Sequence, residues 1–160
     1  MKRVVITAFA WALIAIVGAA IGAEATATHW AVGTWKLNVA MSKFNPGPAP
    51  KSDTRTYAPS AQGVTVMIKI VGADGKEVSV QTRYIIDGKQ HPFPGSPDYD
   101  SITVWRVDDS KIEYTLQKGR DVVETGSSSV SKDGKVLTLI SKGATATGEV
   151  YGDTLVFDRE

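Results

Sequence analysis

The 160-residue chain has no cysteine and only two histidines. The missing cysteine excludes disulfides, thiolate metal sites and a lipid-attachment thiol. Because imidazole is a common general base and the commonest metal ligand, so little histidine also argues against a catalytic or metal centre. Neither a Gly-x-Ser-x-Gly elbow nor a His-Glu-x-x-His motif occurs. The sequence therefore predicts a protein that is not an enzyme and that holds no metal and no cofactor.

An excess of charge of one sign is also missing. The 18 basic and 17 acidic side chains are interspersed along the chain. A nucleic-acid-binding protein shows a basic patch as its electrostatic footprint, and nothing of that kind is present. No nucleic-acid partner is therefore expected.

The one long apolar run covers residues 4–23 and follows a short basic start. This pattern is typical of a secretory signal peptide, and small residues between Ala23 and Ala27 offer cleavage sites. We expect residues 1–25 to be a signal peptide and residues 26–160 to form a single domain, exported to the periplasm or the extracellular space. Membrane contact is expected only through the N-terminal segment before cleavage. The alternative is an uncleaved anchor, because roughly 20 apolar residues can also span a bilayer.

After this run the chain alternates apolar and polar residues with period two, which is typical of strands with one buried face. In one segment Val64, Val66 and Ile68 share a face. Asp-Gly pairs between the segments favour tight hairpin turns. The predicted strands cover residues 33–39, 53–58, 63–71, 77–86, 101–107, 111–118, 121–131, 135–142, 146–151 and 154–159.

Eight to ten short strands joined by hairpins predict an all-β fold, built as an antiparallel up-and-down meander. A meander of this length in a small domain has to curl. Closing it into a barrel removes the exposed strand edges. The predicted fold is therefore an up-and-down β-barrel, with a two-sheet β-sandwich as the alternative.

The first predicted strand begins with Gly33-Thr34-Trp35. This triplet resembles the Gly-x-Trp signature of the calycin superfamily, which includes lipocalins and fatty-acid-binding proteins. In that superfamily the tryptophan closes the barrel floor, and a basic residue near the end of the last strand packs across its ring. The resemblance implies a barrel floor made by Gly33, Trp35 and Arg159. The chain lacks the helices of the typical larger members, and it is most similar to a small exported bacterial lipocalin-like domain.

Pro46, Pro48 and Pro50 follow the first predicted strand. They remove backbone donors and favour an extended, polyproline-like path. We interpret the segment either as a stiff strap across one end of the barrel or as a connector between strands that are not adjacent.

The candidate ligand-binding residues lie on the apolar faces of the predicted strands. They are Ile68, Thr82, Tyr84, Arg106, Tyr114 and Leu116. Because a buried tyrosine hydroxyl needs a partner, these hydroxyls either orient the polar head of a ligand or bond to one another and to the backbone. Arg106 shares its face with Ile102 and Val104, and a buried guanidinium there would need an anion such as a ligand carboxylate.

The longest connection after the proline-rich segment covers residues 87–101, and long loops often carry function. One interpretation is a rigid rim whose Phe93 and Tyr99 fold over the end of the barrel. Another is a recognition loop for a ligand or a protein. A third is a metal or acid–base site made by His91, Asp98 and Asp100.

Two functions fit the predicted barrel. In the first, it binds a small apolar or amphipathic molecule non-covalently and performs no catalysis. In the second, its own side chains fill the interior, and the protein is an interaction or structural module that contacts a protein partner through surface loops. A cavity of several hundred cubic ångströms favours the first function, and a solid interior favours the second.

Overall fold

A computed structural model describes residues 30–94, 98–145 and 147–160. The predicted signal peptide and its cleavage site lie outside these ranges. Among the described residues, no helix is long and apolar enough to cross a membrane. The described strands are β1 (Gly33–Leu37), β2 (Ser52–Ser60), β3 (Gly63–Val71), β4 (Glu77–Tyr84), β5 (Gln90–Pro92), β6 (Ser101–Arg106), β7 (Lys111–Lys118), β8 (Asp121–Val130), β9 (Val136–Ala144) and β10 (Val150–Arg159).

The ten strands form one antiparallel sheet that curls into a nearly closed barrel. Neighbours in the chain are neighbours in the sheet, with one exception, since β4 and β5 do not pair. β1 also pairs with β10, which closes the sheet on the side opposite the boundary between β4 and β5. We call the unpaired boundary the β4–β5 seam. The predicted all-β up-and-down barrel is confirmed, and the sandwich alternative is wrong because one continuous sheet surrounds the interior.

Period-two alternation places the apolar side chains inside the barrel. In β3, Val64 and Val66 are each 3% exposed, and burying such a side chain contributes roughly 1.5–3 kcal/mol. The core draws on strands from all around the sheet. Its largest fully buried side chains are Trp35, Val104, Leu137 and Phe157.

The three Asp-Gly pairs form turns, as the sequence predicts. Gly75, Gly88 and Gly134 have φ values of 87°, 71° and 73°, in the left-handed region that glycine tolerates. In each turn the aspartate accepts a hydrogen bond from the backbone N–H two residues later. The first and third turns close hairpins. The second leads from β4 to β5, which do not pair, so there the turn forms without a hairpin.

Two of the strand predictions are wrong. The sequence predicts separate strands over 146–151 and 154–159, whereas β10 is continuous because Gly152, which suggests a turn, pairs with Lys142 of β9. The sequence also predicts no strand in the segment that forms β5. Pro92 is tolerated there because β5 is an edge strand, paired only with β6.

The proline-rich segment joins β1 to β2, which are adjacent, so its interpretation as a connector between distant strands is wrong. Before the prolines, Lys43 forms a bridge with Thr154 of β10. After them, the N–H of Lys51 donates to the carbonyl of Val71 at the end of β3. Both contacts continue the pairing of the strands that the segment joins, β1 with β10 and β2 with β3, and the strap across the barrel end stays a prediction.

Trp35 lies fully buried where β1 begins, and its indole N–H donates to the Ala31 carbonyl at 2.7 Å. The guanidinium carbon of Arg159, at the end of β10, lies 4.1 Å from the centre of the Trp35 ring. A Cβ atom on Gly33 would overlap the guanidinium of Arg159, and the φ of 132° at Gly33 also favours glycine. The Gly-x-Trp spacing therefore leaves a slot for the arginine over the ring.

Candidate functional site

A cavity of about 170 Å³ lies inside the barrel. This volume is close to the roughly 150 Å³ of an apolar cavity that admits benzene, and below the roughly 300–1,000 Å³ of typical ligand pockets. The interior is therefore hollow but small. Of the six predicted ligand-binding residues, those that line the cavity are Ile68, Thr82, Tyr84, Tyr114 and Leu116.

Arg106 does not line the cavity, and the prediction that it points into the interior is wrong. It is the last residue of β6, and its side chain is exposed. Ile102 and Val104 of the same strand are buried and do line the cavity. Alternation predicts the face on which Arg106 lies, but not that the strand reaches the end of the barrel there.

The guanidinium at the cavity wall belongs instead to Arg55 of β2. Its Nη2 lies 2.9 Å from Oδ2 of Asp53, and its Nε donates to the same carboxylate. Burial is the largest single effect and lowers the pKa of Arg55, but the charge of Asp53, the nearby Tyr57 and the hydrogen bond to Asp53 together raise the pKa above its usual value. The Arg55 guanidinium also lies 5.0 Å from the centre of the Phe157 ring. This buried cation is therefore neutralised within the protein.

A second polar cluster surrounds Glu124 of β8, which also lines the cavity. The phenol of Tyr114 donates to one carboxylate oxygen at 2.7 Å, and the phenol of Tyr151 donates to the other. Burial, and then the charge of Glu124, raises the pKa of Tyr114 well above its usual value. Burial and the hydrogen bond to Glu124 likewise raise the pKa of Tyr151. Both phenols therefore stay protonated near neutral pH, and the Tyr114 hydroxyl bonds to a carboxylate, a partner that the sequence does not predict.

Two glycines make room for this cluster. Gly126 of β8 lies opposite Tyr114 in the β7–β8 ladder, and a Cβ atom there would overlap the phenol of Tyr114. At Gly143 of β9, a Cβ atom would lie 2.6 Å from the hydroxyl of Tyr151. The two rings occupy the space that side chains at these positions would fill, which lets their hydroxyls converge on Glu124.

The segment 87–101 contributes part of the cavity wall. Phe93 is buried, and its ring stacks on Tyr99 with 5.6 Å between the ring centres. Both side chains line the cavity. This arrangement agrees with the interpretation of the segment as a rim, although residues 95–97 lie outside the described part of the chain.

The third interpretation of this segment, as far as it concerns a metal site, is wrong for the residues that the structure describes. His91 Nε2 lies 3.0 Å from Oδ1 of Asp87. Asp100 instead accepts hydrogen bonds from the N–H of Gly119 and the hydroxyl of Ser101. Across the described ranges, no three His, Cys, Asp or Glu side chains are grouped so that they could hold a metal ion.

The β4–β5 seam adjoins the cavity. A groove of about 540 Å³ lies beside it, and Thr82, Tyr84 and Pro94 line both the groove and the cavity. No backbone ladder joins β4 to β5, so no hydrogen bonds between these two strands separate the two spaces here. The seam is therefore where a ligand would displace the fewest backbone hydrogen bonds on its way in.

Sequence reasoning missed three charged residues that the structure places inside the barrel, Asp53, Arg55 and Glu124. Alternation within the predicted strand 53–58 places Asp53 and Arg55 on one face, which is a usable signal for a buried ion pair. Glu124 follows a register shift in the β7–β8 ladder. Alternation counted from the start of β8 therefore assigns Glu124 to the outside of the barrel.

The sequence matches no protein-family model and no curated protein. Solved structures are nevertheless similar to it in fold. A zebrafish ileal bile acid-binding protein complexed with cholic acid has a TM-score of 0.53 at 12% identity, with 82% of this chain and 99% of that chain covered. As-p18, an extracellular fatty acid binding protein, has a TM-score of 0.52 at 14% identity, with 83% and 98% covered. At these identities the likeness shows the fold alone, which is a calycin-type β-barrel.

Proposed function

We propose that the barrel binds a small apolar or amphipathic molecule non-covalently and performs no catalysis on it. The observation that carries this proposal is the internal cavity, whose lining is mostly apolar with a few polar groups. Small-molecule sites usually have this composition, because the apolar wall supplies affinity and the polar groups fix orientation. Each Å² of apolar ligand surface removed from water contributes roughly 25 cal/mol.

The size of the cavity limits the ligand. A volume of about 170 Å³ accommodates a benzene-sized ring with a small substituent, or a short aliphatic chain. One similar structure holds cholic acid, and the other is a fatty acid binding protein, which supports a ligand with an apolar body and a polar end. A larger ligand would require the β4–β5 seam to widen.

Toluene binding tests the proposal. At a concentration about tenfold above its Kd, toluene is expected to raise the free energy of unfolding by about 1.4 kcal/mol. Replacing Ile68 and Leu116 together with phenylalanine fills the cavity, so this variant should lose the stabilisation by toluene. Thermal unfolding followed by circular dichroism measures both effects.

The matched control is Ile140→Phe, which adds the same ring at an exposed position on the outside of the barrel. It should keep the full response to toluene. If toluene stabilised the variant with the filled cavity as much as the unmodified protein, it would be bound at the surface and not in the cavity. That result would contradict the proposal and favour the interaction module, and so would a failure of toluene, benzyl alcohol, benzylamine and benzoate alike to stabilise the unmodified protein.

We also propose that the mature protein is exported after removal of a signal peptide. The basic start and the apolar run over residues 4–23 support this, and one of the two similar proteins is described as extracellular. N-terminal sequencing of the protein from its own host should find a start between residues 24 and 28. Intact Met1 on membrane-bound protein would instead indicate an uncleaved anchor.

A further inference from the structure

The charged groups at the cavity wall are unequally paired. Two nitrogens of Arg55 donate to Asp53, so this positive charge is matched within the protein. Among the described residues, Glu124 receives hydrogen bonds only from the phenols of Tyr114 and Tyr151. Within residues 30–94, 98–145 and 147–160, no side chain forms an ion pair with it. The wall therefore presents one carboxylate that no described cation neutralises.

The Glu124 carboxylate keeps acceptor capacity for a ligand. A carboxylate offers about four lone-pair sites, and the two phenols use one on each oxygen. A ligand group that carries N–H or O–H donors can use the remaining sites. A ligand carboxylate cannot, because it has no proton to donate and the negative charge of Glu124 repels it.

The aromatic rings near Glu124 also suit a cation. Tyr99 stacks on Phe93 at the cavity wall. Tyr99 and Glu124 line the same cavity. Burial, and then the charges of Glu124 and Asp98, raise the pKa of Tyr99. Because the face of an aromatic ring attracts ammonium groups, aromatic walls beside a carboxylate favour a positively charged nitrogen.

We infer that the cavity selects a small amine in its ammonium form, with the nitrogen at Glu124 and the apolar body against side chains such as Val66 and Ile102. This inference rests on the proposed function, because it names the head-group class of the same ligand. It replaces the acidic head group expected from Arg106, which is exposed. The one guanidinium described at the cavity wall, that of Arg55, is already paired.

Calorimetric titration with benzylamine, benzyl alcohol and benzoate tests this inference, since the three probes share one ring and differ in the head group. Near neutral pH the amine is protonated, as a lysine side chain is. Because charge-assisted hydrogen bonds are stronger than neutral ones, benzylamine should bind about tenfold more tightly than benzyl alcohol. Benzoate should bind most weakly.

The outcomes separate this inference from the function on which it rests. If benzyl alcohol or benzoate binds as tightly as benzylamine, or if toluene binds and none of the three probes does, the amine inference is wrong and the ligand-binding barrel stands. If neither toluene nor any of the three probes binds, both proposals are wrong.

Variants locate the source of the preference. Glu124→Gln keeps the shape of the side chain but removes its charge, so the preference for benzylamine over benzyl alcohol should disappear. Glu77→Gln, the matched control, removes an exposed carboxylate from β4 and should leave the preference intact. Tyr151→Phe removes one hydrogen bond but keeps the charge, so it should also retain the preference. A preference that survives in Glu124→Gln, or is lost in Glu77→Gln, overturns the inference.

A measurement on the unmodified protein covers the case in which Glu124→Gln does not fold. Nuclear Overhauser effects from the methylene group beside the benzylamine nitrogen should reach the ring protons of Tyr114, which lines the cavity and bonds to Glu124. Contacts of that methylene only with Val66 and Val80, at the apolar wall, would place the nitrogen away from Glu124 and overturn the inference.

Discussion

Replacing Trp35 with alanine is expected to lower the free energy of unfolding by about 3–5 kcal/mol, the usual cost of truncating a large buried aromatic side chain. Trp35 is 0% exposed. Truncation also removes the ring beneath the Arg159 guanidinium and the indole that bonds to the Ala31 carbonyl. Urea denaturation followed by far-UV circular dichroism is the suitable measurement, because the substitution itself changes the tryptophan fluorescence.

Trp105→Ala is the matched control. Trp105 of β6 is half-buried on the outside of the barrel, in a groove shared with Thr115 and Ile140. The same substitution there should cost about 1 kcal/mol, near the centre of the range for point mutations. A loss below about 1 kcal/mol for Trp35→Ala would contradict its buried position. The resemblance to the calycin motif would then lose its physical basis.

Replacing Asp53 with asparagine is expected to destabilise the protein by about 3–5 kcal/mol, the usual cost of removing one partner from a buried ion pair. Asp53 is 3% exposed and the Arg55 side chain 15%. The substitution leaves the Arg55 guanidinium inside the barrel without its counter-charge. Urea denaturation at neutral pH measures the loss.

A double variant tests whether the two charges stabilise each other, and a surface variant measures the effect of removing an exposed carboxylate. Asp53→Asn combined with Arg55→Met removes both charges, so it should cost less than the sum of the two single changes, because neither charge is left alone. Asp121→Asn changes an exposed carboxylate and should stay within about 0.5 kcal/mol of the unmodified protein. Additive losses in the double variant would show that the two side chains do not stabilise each other.

Much of the fold follows from the sequence because the face of a strand is a local property. Alternation alone assigns Ile68, Tyr84, Tyr114 and Leu116 to the interior, and all four line the cavity. Turn chemistry is equally local, since an aspartate bonds to its own backbone and the following glycine adopts positive φ. These signals require no knowledge of which strands pair.

The charged part of the cavity wall depends on features that are not local. Arg106 is exposed because it is the last residue of β6. Where a strand ends depends on its partners in the barrel, so the alternation of the strand does not predict it. Glu124 faces inward because a register shift in the β7–β8 ladder reverses the alternation. The space for its tyrosine partners comes from glycines on neighbouring strands, Gly126 and Gly143, which become relevant only once the pairing register is known.

The β4–β5 seam divides the strands into two groups, β1–β4 and β5–β10. Each group can form its own ladders without the other. Within β1–β4 and within β5–β10, every ladder joins strands that are neighbours in the chain. Only the β1–β10 ladder joins distant positions, such as Trp35 and Arg159, and closing so long a loop costs entropy before native contacts offset it. Ring closure is therefore expected to limit the folding rate. A circular permutant with its new ends between β4 and β5, and with residue 160 linked to residue 30, would make every described ladder one between strands that are adjacent in the chain.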